Sequence, residues 1–187
     1  MTYSISNAGL EALKREEGKR LTSYKDSRGV WTIGYGSTGP HVGPGQRITD
    51  KEAEDLLKQD LTRFEYAVNK NVKVPVTQNQ YDAMVSLSYN IGDGGFAKSD
   101  VVKKLNSFDY EGAAASFRNW SKAGNNSTVL AARREREIGT FMNGHETTTK
   151  PLSNLFPVKR LLRLALLIQS IYRNQLRRLT LKYHLHY

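Results

Sequence analysis

The chain has 187 residues and no cysteine. Disulfides and thiolate chemistry are excluded, and the composition suits a reducing compartment. Histidine is scarce, limited to His41, His145, His184 and His186. Their spacing makes no metal site, and the final pair reads as solvated. No long apolar run opens the chain. The start, "MTYSISNAGLEALKREEGKR", lacks the basic beginning and apolar middle of a secretion signal, so neither a cleaved leader nor an N-terminal anchor is expected. There is no internal repeat and no low-complexity segment.

Acidic residues are missing from one region only. Residues 147–187 carry 8 Lys+Arg and no Asp or Glu, whereas residues 1–146 carry 20 Lys+Arg against 18 Asp+Glu. The net charge of +10 therefore belongs mostly to the tail, which points to an anionic partner: a membrane surface, an envelope polymer or nucleic acid. The hydrophobic share of 39% and the charged share of 25% are those of a soluble globular body, and the length is enough to bury a core.

The spacing predicts a first helix over 6–18, with Leu10, Leu13 and Glu17 on one face and Gly18 ending it. At 100° per residue Glu17 lies between the directions of Leu10 and Leu13. Glu16 lies well outside that arc, toward water. "LTSYK" and "VWTIGYG" read as two strands joined by "DSRG", which has the Asp and Gly of a type I turn. In the second strand Thr32 shares a face with Val30 and Gly34, the face with less bulk. A capping box, Thr49 with Glu52, opens a long amphipathic helix through Leu56, Leu57, Leu61, Phe64 and Val68. Four further helices are expected, in "TQNQYDAMVSLSYNIG", "KSDVVKKLNSF", "DYEGAAASFRNWSKAG" and "STVLAARREREIGTFMNG". The predicted architecture is α+β: a small N-terminal lobe with a β-hairpin, a connecting helix, a helical lobe and a tail. The body would span 1–146, with lobes of about 1–60 and 61–146, and the tail 147–187.

Chemistry is suggested by the first lobe. A carboxyl on the apolar side of a helix end loses hydration, and its pKa should rise, as a general acid requires. A second carboxylate in a polar turn would stay ionised, and such a pair can cleave a glycosidic bond. A hydroxyl on the adjoining strand could hold a water. Each residue also has an ordinary reading: Glu17 as a salt-bridged structural residue, Asp26 as a turn former, Thr32 as a β-former.

"EEGKRLTSYKDSRGVWTIGYGST" resembles the active-site segment of phage-type lysozymes, the endolysins of glycoside hydrolase family 24. The shared pattern is E-G, a Y-x-D-x-x-G turn and W/Y-T-I-G-x-G. "GQRITDKEAEDLLKQDL", "TQNQYDAMVSLSYNIG" and "LAARREREIG" extend it, the last through Leu130, Arg133, Arg134 and Glu137. The resemblance covers roughly residues 5–146 and implies a lysozyme-like fold. It implies hydrolysis of the β-1,4 bond between N-acetylmuramic acid and N-acetylglucosamine in bacterial peptidoglycan, without metal or cofactor. Glu17 would protonate the leaving oxygen, Asp26 would stabilise the sugar cation, and Thr32 would orient a water, with inversion as the outcome. Tyr35, Tyr89, Asn90 and Ser99 would line the glycan cleft. The resemblance further implies a monomer that accumulates in the host cytoplasm and reaches the wall with a holin. A lytic transglycosylase remains an alternative on sequence alone.

The tail departs from that family. On a helical wheel over 158–181, Leu161, Leu162, Ala165, Ile168, Tyr172, Leu176 and Leu179 face one way, and Lys159, Arg160, Arg163, Arg173, Arg177 and Arg178 the other, with Leu166 and Leu167 as exceptions. Charges interrupt it too often for a bilayer-spanning helix. An interfacial helix on an anionic membrane or lipopolysaccharide is one reading. Docking on the helical lobe is another, and a fusion or altered reading frame a third. A cationic membrane-active protein that kills without cleaving glycan is the competing function. Nucleic acid is not expected as a partner, because few aromatics are interleaved for base stacking.

Overall fold

A computed structural model describes residues 3–122 and 127–143, within one compact unit, Met1–His145. The tail, including Lys159, Arg160, Arg163, Arg173, Arg177 and Arg178, lies outside the described residues.

The first helix, α1, runs Asn7–Glu17. Ser6 caps it by accepting the Gly9 N–H, and Gly18, at φ +67°, ends it. Leu13 is fully buried in the core. Three antiparallel strands follow in the order β1 (Arg20–Lys25), β2 (Trp31–Gly34) and β3 (Ser37–Thr38). The turn between β1 and β2 closes with the Gly29 N–H donating to the Asp26 carbonyl at 2.9 Å, the expected i to i+3 bond. The two-residue β3 was not expected. It makes β2 a central strand, with Thr32 between Tyr24 and Thr38.

Helix α2 spans Asp50–Asn71. Its capping box is formed: Thr49 N–H donates to Glu52 Oε2 at 2.7 Å and Glu52 N–H to Thr49 Oγ1 at 3.2 Å. It buries Ala53, Leu57, Leu61, Phe64, Ala67 and Val68, and so runs from the sheet into the helical lobe. There α3 (Gln78–Ile91), α4 (Asp93–Lys98), α5 (Asp100–Asn106), α6 (Tyr110–Ser116), a 3-10 turn (Phe117–Trp120) and α7 (Ser127–Met142) follow. Two expectations are corrected. A separate short helix, α4, stands before α5, anchored by fully buried Phe96. The segment expected as one helix from Asp109 tightens into a 3-10 turn at Phe117, whose ring packs edge-on against Phe141 at 5.6 Å. Both are tertiary effects: a buried aromatic decides the local backbone.

Candidate active site

Glu17 is the last residue of α1, at the negative end of the helix dipole. Its side chain is 17% exposed. Burial pushes its carboxyl above the ordinary range; the nearby Arg133 charge opposes that, and Glu16 adds to it. Arg133 Nη2 stands 2.8 Å from Glu17 Oε1. The approach misses the hydrogen-bonding direction, leaving Oε1 without a directed donor. The contact is therefore ionic, and weaker in orientation than its distance suggests. Arg133 is shared: its Nε donates to Glu137 Oε1 at 3.1 Å. Ser86 Oγ donates to the same oxygen at 2.6 Å, and Arg134 Nη2 at 3.1 Å. Two acids and two arginines thus meet inside the lobe.

Glu16 does not stand free in water. Its side chain is 15% exposed, and Arg136 grips both oxygens at 2.6 and 2.7 Å. That fork holds Glu16 below the ordinary carboxylate range despite its partial burial. The face argument placed Glu16 toward water and could not see Arg136 of α7 covering it, which leaves the two side chains almost equally exposed.

Asp26 begins the β1–β2 turn. Its Oδ1 accepts the backbone N–H groups of Arg28 and Val30, both at 2.9 Å. Its Oδ2 accepts Arg28 Nε at 3.2 Å and Nη2 at 3.0 Å. The Val30 N–H foremost, then Arg28, hold its carboxyl below the usual range. Thr32 donates its hydroxyl to the Val30 carbonyl at 3.1 Å. It is 3% exposed, so the face expected to be open is covered.

A cleft of about 330 Å³ lies between the sheet and the helices. Arg28, Gly36 and Thr38 form one wall; Asp60, Arg63 and Phe64 of α2 and Tyr89, Asn90 and Ile91 of α3, with Gly92, form the other. Gly36, at φ +93°, links it to the acid. A methyl group built there would stand 3.9 Å from both Glu17 Oε2 and the Tyr89 hydroxyl. Burial, with the Glu17 charge adding, pushes the Tyr89 phenol upward, and its hydroxyl donates to the Tyr35 carbonyl at 2.9 Å.

Of the residues expected along a glycan cleft, Tyr89 and Asn90 line it. Tyr35 and Ser99 do not. Tyr35 packs into the core, and Ser99 is buried as the cap of α5, its oxygen accepting the Val102 N–H. The sequence "KSD" carries that capping signal. Gly36, Arg28 and the pairing of Glu17 with Arg133 were missed, since each depends on chain segments meeting. Among the described residues no cluster of three His, Asp or Glu could hold a metal.

A small antiparallel sheet, a long helix leading into a helical lobe, and a half-buried glutamate behind the groove between them define a lysozyme-like glycoside hydrolase. A profile of the family described as phage lysozyme matches residues 14–137. The endolysin of Salmonella phage P22 is 47% identical over 143 residues, 74% of this chain and 98% of that protein. A crystal structure of a P22 lysozyme mutant superposes with a TM-score of 0.69, covering 75% of this chain and 99% of that one. The muramidase domain of SpmX from Asticaccaulis excentricus is 39% identical with a TM-score of 0.71, over 75% of this chain and 98% of that one. The chain belongs to the phage lysozyme family.

Proposed function

We propose that this enzyme is an endolysin that hydrolyses the β-1,4 bond between N-acetylmuramic acid and N-acetylglucosamine in peptidoglycan, with inversion. The observation that carries the reading is Glu17: a covered carboxyl whose burial favours its protonated form, beside the glycine that lines the cleft. It hands its proton to the leaving glycosidic oxygen. Asp26, kept ionised by its turn and by Arg28, stabilises the positive charge on the sugar and helps place the water. Thr32 donates its own proton to Val30 and would orient that water through its oxygen lone pairs, a role that requires the covered strand face to admit one water. Two carboxyls shifted in opposite directions, Glu17 upward by burial and Asp26 downward by its turn, suit acid and stabiliser roles. Tyr89 and Asn90 contact the glycan. In the same reading the enzyme is a monomer released to the wall with a holin, and the cationic segment 147–187 engages the anionic envelope, supported by its charge asymmetry.

The test is analysis of muropeptides from purified peptidoglycan. The wild-type protein should produce new reducing ends. Glu17→Gln should stay folded and lose at least ~100-fold in rate, the low end for general acid catalysis. Near-normal cleavage by that variant refutes the assignment. Anhydro products would mark a transglycosylase, and killing without cleavage a membrane-active protein.

A further inference from the structure

The two oxygens of Asp26 are held in different ways. Oδ1 takes two backbone N–H groups of its own turn, which fix the carboxylate and do not leave while the turn persists. Oδ2 takes only Arg28, through Nε and Nη2. In the free protein, then, the oxygen that is not tied to the turn is occupied by a cation. A carboxylate so paired has little field left for a developing oxocarbenium, because the opposite charge sits within hydrogen-bond distance.

Arg28 is built to leave. Its side chain is 77% exposed, against 19% for Asp26, and an ion pair with so exposed an arm is weakly held. It also stands in the wall of the cleft, where a bound polymer would meet it first. Arg63 faces the same cleft, with its guanidinium 4.4 Å from the Phe64 ring centroid and no ion pair to a carboxylate among the described residues. The remaining titratable groups about the groove are Asp60 on α2 and Tyr89 on α3; on the hairpin, Lys25 stands over Trp31 at 5.4 Å. Among the described residues Arg28 is the one cation that touches Asp26.

We propose that Arg28 is an exchangeable counter-ion: it caps Asp26 in the free enzyme and swings onto an acidic group of the incoming wall polymer, freeing Oδ2 for the reacting centre. This rests on the reading of Asp26 given above. Arg28 is a positioning residue, acting through Asp26. Its release makes activation of the site depend on an anionic substrate, since a neutral glycan offers the guanidinium no second partner.

The test separates free enzyme from complex, because kcat/KM reports ionisations of the free enzyme and kcat those of the complex. Arg28→Gln and Arg28→Lys are assayed on soluble peptide-bearing glycan chains across the acidic limb. In Arg28→Gln the acidic limb of kcat/KM should move to higher pH, because Asp26 has lost its capping charge. The limb of kcat should stay, because in the complex Arg28 has already left. Arg28→Lys should restore part of the kcat/KM limb. If both limbs move together, Arg28 remains on Asp26 in the complex and the proposal fails; if neither moves, there is no coupling and it also fails. Asp26→Asn distinguishes the premise. Loss of turnover in that variant leaves the role of Asp26 standing whatever Arg28 does, whereas full turnover removes that role and the exchange with it.

Discussion

Glu16 and Glu17 are neighbours with nearly equal coverage and opposite electrostatics. Arg136 reaches Glu16 with a two-pronged fork, the strongest geometry for a carboxylate. Arg133 reaches Glu17 off-axis and divides itself with Glu137. Desolvation therefore prevails at Glu17 and the ion pair at Glu16. Arg133→Gln should raise the Glu17 pKa further, since the charge that opposes burial is gone. The basic limb of activity, lost when Glu17 deprotonates, should move to higher pH; a move to lower pH would contradict this account. The same change removes one of two buried arginines from Glu137 and leaves Arg134 and Ser86 on it, so stability in urea unfolding should fall by less than the about 3–5 kcal/mol of a buried charge stripped of its partner. Helical spacing placed Glu17 on the apolar face of α1, but the two glutamates are covered almost equally and differ by their arginine partners. Spacing could not give Arg133 its task, because the ion pair joins residues from opposite ends of the fold, and a local pattern carries no record of its distant partner.

At the scale of elements, the site depends on where α1 lies. Ser6 N–H donates to Asp82 Oδ1 at 3.0 Å, and Gln78 Nε2 donates to the same oxygen at 2.8 Å. Asp82 is thereby pinned under the first turn of α1, and Gly9 gives it room. A methyl group on Gly9 would come within 2.5 Å of Asp82 Cγ. Gly9→Ala should destabilise the fold by about 1–3 kcal/mol through overpacking, although alanine is the better helix former. An unchanged thermal midpoint would show that α1 can shift freely. The elements with a local signal were legible: α2 from its capping box and apolar stripe, the hairpin turn from Asp26 and Gly29. Those without one were not. Two residues, Ser37 and Thr38, are too few to show a period. Helix α4 begins "DGG", a poor helix former, and persists because Phe96 is buried.

At the scale of the molecule, the chain closes on itself to make the acid. Arg136 and Glu16 are 120 positions apart, and the Arg133 contact beside them joins α1 to α7 in the same way. Only the folded body gives Glu17 its covered position, and the unfolded chain should return it to ordinary behaviour. Within the body, which is near neutral by composition, local burial and pairing set the Glu16 and Glu17 shifts. A titration of the side-chain carboxyls in the intact protein by carbon-detected NMR, with Glu17→Gln to assign the resonance, reads this directly. Glu17 should titrate above 4.5, the value of an unperturbed glutamate, and fall back to it in denaturant. A midpoint at or below that value in the folded protein would contradict the account.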